Sequence, residues 1–201
     1  MTKTITKQVL ISAAALLALG AGQAQAAQFN GAIGQGVSVT DYSEAGKLAF
    51  DLDFAQRSQV TLNFSLDAQD LALGSLSFNA LVRNLSGLGF EGTQVALSGI
   101  GFALPRGTLT TDGFQSVVAQ GGNAQSAWAR FGAPGVTTEF YIGNPLGNGS
   151  ATDWTLDLAG HQVGDTFRIT VAVPEPESYA LMIAGLAAVG FVARRRKQQQ
   201  A

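Results

Sequence analysis

Few residues in this chain are equipped for catalysis. His161 is the only histidine and there is no cysteine, which excludes multi-histidine and thiolate metal sites and leaves at most one histidine-based nucleophile system. Gly160-His161-Gln162-Val163-Gly164-Asp165 reads as a turn before a strand, and no G-x-S-x-G elbow accompanies it. Asp51 and Asp53 stand two apart on the polar face of a strand-like run, with Asp67 and Asp70 following. Their hard oxygens suit Ca²⁺, but the EF-hand order of Asp, Gly and closing Glu is missing, and a solvated strand face accounts for them. Gly87-Leu88-Gly89-Phe90-Glu91-Gly92 fits G-x-G-x-x-G. That fingerprint has mechanical meaning only between a strand and a helix, and no such context surrounds it; it reads as a glycine-rich turn. The expectation is a non-enzymatic chain with no metal and no cofactor.

Three aromatic residues offer another kind of site. Trp128, Tyr141 and Trp154 could stack on sugar rings, since aromatic faces supply much of the contact area in such sites. Trp154 shares a strand face with Leu156 and Leu158, which points it inward and favours a packing role.

The two ends carry the strongest patterns. Lys3 and Lys7 precede an apolar run from Val9 to Gly22, and Ala24-Gln25-Ala26 supplies small residues before Ala27. This is the layout of a secretory signal peptide, cut by signal peptidase so that the mature chain starts near Ala27 and passes through the export machinery. At the other end Val173-Pro174-Glu175-Pro176-Glu177-Ser178 leads into an apolar run from Tyr179 to Ala193, closed by Arg194-Arg195-Arg196-Lys197. Two alternate prolines favour an extended, accessible peptide. Fifteen apolar or glycine residues make a helix of about 22 Å, short of the ~30 Å hydrocarbon core, so the sequence predicts a marginal single transmembrane helix whose basic quartet stays cytoplasmic as a stop signal. Both ends then place the intervening domain outside the inner membrane.

This ordered C-terminal triad resembles the PEP-CTERM sorting signal of Gram-negative bacteria that make exopolysaccharide. The resemblance covers only about the last 29 residues and implies a route: an exosortase recognises Pro174-Glu175-Pro176, cuts nearby, and releases or transfers a transiently anchored protein to the cell surface or extracellular space. It further implies an association with exopolysaccharide or biofilm. A weaker likeness joins the whole chain to the PEP-CTERM group named for an FxDxF motif; the nearest residues are Phe50-Asp51-Leu52-Asp53-Phe54, where Leu52 stands in place of the central Asp. The alternatives are a polysaccharide-binding module and a permanently anchored bitopic inner-membrane protein.

These patterns divide the chain into a leader (1–26), a central domain (27–172) and a sorting segment (173–201). The central domain holds twelve acidic and six basic side chains, a net charge of −6. It has no basic stripe, so nucleic acid is excluded as a partner. A 46% hydrophobic fraction and 25 glycines without a strict period exclude disorder and collagen.

Alternation dominates the central domain. Apolar residues fill even positions in Leu48 to Phe54 and again in Val60 to Leu66, with Ala55 to Ser58 between them, the pattern of a β-hairpin. Further period-two runs are Leu76–Val82, Gln94–Ile100, Gly113–Val118, Ser126–Phe131, Val136–Ile142, Thr152–Leu158 and Thr166–Val173. No amphipathic helix is evident. About nine half-buried strands predict an all-β antiparallel β-sandwich, with a jelly roll or flattened barrel as alternatives.

Overall fold

The computed structural model describes residues 27–87, 89–112, 116–132 and 137–173. The described elements are β1 (Gln28–Gly34), β2 (Val37–Asp41), β3 (Lys47–Phe54), β4 (Gln59–Ser65), α1 (Ala68–Leu73), β5 (Ser75–Asn84), β6 (Gly92–Ser98), β7 (Gly101–Phe102), β8 (Leu109–Thr111), β9 (Val117–Gly122), β10 (Ser126–Phe131), β11 (Glu139–Ile142), β12 (Trp154–Asp157) and β13 (Thr166–Ala172). They build two sheets. One runs β1-β4-β13-β6-β10-β9, and its pairs are all antiparallel. The other runs β2-β3-β5-β11-β8, with β12 also on β5 and β7 beyond it.

The period-two alternation correctly identifies the buried faces. Leu48, Phe50, Leu52 and Phe54 are buried, as are Val60, Leu62, Phe64 and Leu66. The two runs are nevertheless not a hairpin. β3 pairs with β2 and β5, whereas β4 pairs with β1 and β13 in the other sheet. Ala55 to Ser58 carry the chain across the core, so the two apolar faces meet each other rather than lying side by side. Gln35 and Gly36 make a second crossing from β1 to β2. The two crossings are tied together: Ala55 N donates to Gly36 O at 2.7 Å and Ser58 Oγ to Gln35 O at 2.9 Å.

The second sheet also departs from the all-antiparallel expectation, because β3 and β5 are parallel over eight register pairs from Lys47↔Ser77 to Phe54↔Asn84. A parallel pair needs a long crossover. Here that crossover runs from Ala55 to Gly74 and includes β4 and the short helix α1. Asp67 caps the helix, accepting from Gln69 N at 2.7 Å and Asp70 N at 2.9 Å, while Asp70 Oδ2 accepts from Asp67 N at 2.9 Å. Such a reciprocal capping box satisfies donors that a helix start leaves open. Gly74, at φ +74°, ends the helix in the left-handed conformation that glycine adopts without steric cost.

Phenylalanine fills the space between the sheets. Phe64 stacks on Phe167 at 4.8 Å, and Phe29 and Phe50 lean on Phe64. Phe90 contacts Phe54 and Phe140 edge-on. The architecture is an all-β sandwich of two sheets. Among the described residues no helix is long and apolar enough to cross a membrane. The expected signal peptide (Ala24 and Ala26 included) and the expected transmembrane helix lie outside the described residues.

Candidate functional site

The sorting peptide joins the domain through β13. This strand lies between β4 and β6, with register pairs from Thr166↔Ser65 to Ala172↔Gln59 on one side and from Arg168↔Ser98 to Ala172↔Gln94 on the other. Val173 follows at once, buried, and its N–H donates to Ser58 O at 2.9 Å. The described domain therefore ends packed in its own core, and Pro174 is the next residue in sequence. Pro174, Glu175 and Pro176, and Arg194, Arg195, Arg196 and Lys197, lie outside the described residues.

Register also fixes where the ends are. Gln28 lies opposite Ser65, which lies opposite Thr166; Gly34 lies opposite Val60, which lies opposite Val171. Ala27 and Val173 therefore sit at opposite ends of the sandwich. The chain leaves toward Pro174 beside the two tied crossings, and it enters beside α1.

Of the three aromatic candidates, two meet and one does not. Trp128 is 44% exposed on the outer face of β10. Its register partner on β9 is Gly121, and a Cβ placed there would come within 3.0–3.1 Å of three indole atoms. The ring therefore lies face-down on the glycine backbone. Trp154 is buried, as its shared face with Leu156 and Leu158 predicts, and its Nε1 donates to Thr108 O at 2.7 Å. Both tryptophans border a cavity of about 260 Å³ together with Arg106, Leu109, Gln120 and Gly121. Tyr141 does not line it. It lies on β11, where its hydroxyl donates to Glu139 Oε1; burial, then that bond and the Glu139 charge, push its pKa up to about 12.

Arg106, Gln120 and Gly121 are not singled out by the sequence. Arg106 Nη1 donates to Asn123 O at 2.7 Å, which holds its loop against the β9–β10 turn. Nothing in its local sequence announces a partner 17 positions away.

The acidic pair has a protein partner. Arg83 Nε donates to Asp53 Oδ1 at 2.6 Å, and its Nη2 donates to Asp51 Oδ2 at 2.9 Å and Asp53 Oδ2 at 3.2 Å. Parallel pairing of β3 with β5 sets Arg83 beside Asp53. The bond to Asp53, with its charge and that of Asp51, raises the Arg83 pKa. Asp67 and Asp70 belong to the helix cap. Among the described residues no group of three or more His, Asp or Glu side chains is placed to hold a metal ion.

His161 Nδ1 lies 3.2 Å from Asp165 Oδ2, which also accepts from Gln162 N at 3.0 Å. The Gln162 N–H first, then His161, hold the Asp165 pKa below the usual carboxylate range. These contacts close the turn that the sequence predicts. The glycine-rich stretch leads from β5 into β6, which Gly92 opens, and Gly89 O accepts from Arg57 Nη2 at 2.6 Å. A strand, not a helix, follows it.

A two-sheet β domain whose central strand runs without a linker into a Pro-Glu-Pro peptide defines a class: an exported domain attached to a sorting signal. Residues 172–197 match the family model of the PEP-CTERM protein-sorting motif, so the chain carries that signal. The motif indicates sorting by an exosortase, with export to the cell surface or extracellular space. No curated protein and no solved structure matches the chain. The likeness to the FxDxF group stops at Leu52, which is fully buried on the inward face between Phe50 and Phe54; a carboxylate there would have no water to solvate it.

Proposed function

We propose that the β domain is a non-enzymatic surface or matrix module. In this reading signal peptidase removes residues 1–26, the apolar run from Tyr179 to Ala193 holds the chain in the inner membrane for a time, and an exosortase then cuts near Pro174-Glu175-Pro176 and frees the domain. The observation that supports it is the seat of Val173: the sorting peptide is the direct continuation of a central core strand, so a cut there releases the whole folded sandwich as one body. The test is the fate of the C-terminus in cells with and without an exosortase. Mass spectrometry of secreted material should find chains lacking Arg194 to Lys197, and Pro174→Ala with Glu175→Ala should leave the protein in the membrane fraction. Secreted chains that still carry the basic quartet would overturn the reading, as would unchanged release of the double variant.

One observation favours a polysaccharide ligand for the freed module. The exposed Trp128 ring is seated on Gly121 beside a polar cavity, an arrangement suited to stacking on a sugar ring. Gln94, the register partner of Trp128 on β6, adds an exposed amide to the same sheet face. Retention of the protein on exopolysaccharide should fall with Trp128→Ala. Trp154→Ala is a poor probe because that indole is in the core, so Gln120→Ala is the better second variant; unchanged retention in both would remove this site.

A further inference from the structure

Asp70 is the one fully buried acidic side chain among the described residues, with 0% of its surface exposed. Only half of its carboxylate is explained by the helix cap. Oδ2 accepts from Asp67 N, whereas Oδ1 is buried without a hydrogen-bond partner. The residue whose backbone N–H faces this carboxyl group from outside the helix is Ala27, itself 2% exposed and packed in the core. An orphaned buried carboxylate oxygen is costly, and its neighbour is the position where the leader ends.

We propose that Asp70 is the receiving site for the α-amino group that leader removal creates at Ala27, so that cutting the leader completes the core of the domain. This rests on the reading that signal peptidase cuts between Ala26 and Ala27. Hydrolysis of that peptide bond gives the water hydroxyl to the Ala26 carbonyl carbon and a proton to the Ala27 nitrogen. A second proton from solution makes the nitrogen an ammonium at neutral pH, since a free α-amine titrates near 7.7–8.0. One neutral N–H thus becomes a cation with three N–H donors, one of which can serve Oδ1.

The unprocessed chain lacks that cation. There, burial foremost raises the pKa of Asp70, with the Asp67 charge adding to the rise and the Asp67 and Ala27 N–H groups opposing it. Asp67 is the titratable group that faces Asp70 among the described residues. Pairing with an ammonium gives this half-satisfied carboxyl group a compensating charge, and buried charges are tolerated in that form.

The test uses the exported, leader-cleaved chain with its C-terminal segment, purified in detergent, and N-terminal sequencing to establish where it begins. Competitive labelling with trace acetic anhydride at a series of pH values then reads the pKa of the α-amine, folded and in urea. Burial alone lowers an amine's pKa and a carboxylate partner raises it, so the sign of the shift decides. The expected result is a terminus at Ala27 whose folded pKa lies about one unit or more above its value in urea, and at or below that value in Asp70→Asn. If Asp70→Asn does not fold, the sign in the natural chain still decides. A terminus at Ala27 with an unshifted or lowered pKa overturns the pairing alone; a terminus elsewhere overturns the leader reading and the pairing with it.

Discussion

The side-chain amide of Asn79, buried in the middle of β5, donates a 3.0 Å hydrogen bond to Asp153 Oδ1. This bond sits where the edge of β5 changes partner: β12 pairs with Ser75 to Phe78, and β11 pairs with Ala80 to Arg83. The chain leaves the sheet between them, and Asp153 also accepts from Asn144 N at 2.8 Å and from Ser77 Oγ at 3.3 Å. One carboxylate thus closes both ends of the excursion. Asp153→Ala should destabilise the domain by about 2 kcal/mol, because it orphans a buried amide, and Asp153→Asn by less. Urea midpoints measure both; equal midpoints for Ala and the natural residue would show that the bond contributes nothing.

Gly121 should be intolerant of any side chain if Trp128 is to stay flat. Gly121→Ala brings a methyl to 3.0 Å from the ring, and the half-exposed indole can swing outward, so the stability cost is small, about 1 kcal/mol. Fluorescence separates the two tryptophans, since Trp154 is buried and emits to the blue. The substitution should shift the red component that Trp128→Phe removes, and an unchanged spectrum would contradict the stacked geometry.

Phe64→Ala removes the ring that touches Phe29, Phe50 and Phe167 at once. The expected loss is about 3–5 kcal/mol, a large part of the ~5–15 kcal/mol that holds an ordinary domain together. Thermal unfolding should show a midpoint far below that of Phe29→Ala, whose ring is only partly buried.

Tyr141 sets a test at alkaline pH. Its folded pKa of about 12 lies above the ~10 of an unfolded tyrosine, so the native state holds the phenolic proton more tightly. The resulting stability is full below about pH 10 and is lost as pH rises toward 12. Ultraviolet titration should show a late-ionising phenol that Tyr141→Phe removes, and the variant should lose less stability than the natural chain over that window. Equal losses would place the alkaline sensitivity elsewhere.

Alternation reveals which face of a strand is dry, and that much was legible: the even residues of 48–54 and 60–66 are buried, Ala127 and Phe131 point inward and so turn Trp128 outward, and Trp154 follows Leu156 and Leu158 into the core. It does not name the neighbour. Leu48–Phe54 and Val60–Leu66 look the same whether they pair edge to edge or face each other across the core, and only the tied crossings at Gln35–Gly36 and Ala55–Ser58 decide for the second. β1 escaped notice because Asn30, Gly31 and Gly34 interrupt any period, with a bulge between Phe29 and Ala32, and β2 because its alternation rests on Val37 and Val39 alone. The capping signal of α1 was present as Asp67 and Asp70, but six residues are too few for a helical period to show. Arg83 and its two aspartates are about thirty positions apart and meet only through the parallel pairing.

The position of β13 has a consequence for the order of events during export. Without that strand the first sheet is two fragments, β1 with β4 and β6 with β10 and β9, and nothing bridges them. A chain threaded amino end first reaches the outside with Phe64, Leu62 and Val95 lacking their neighbour until its final strand arrives. Closure of the sandwich is then the last act of folding, and because no linker separates Val173 from Pro174 it is coupled to the arrival of the Pro-Glu-Pro peptide itself.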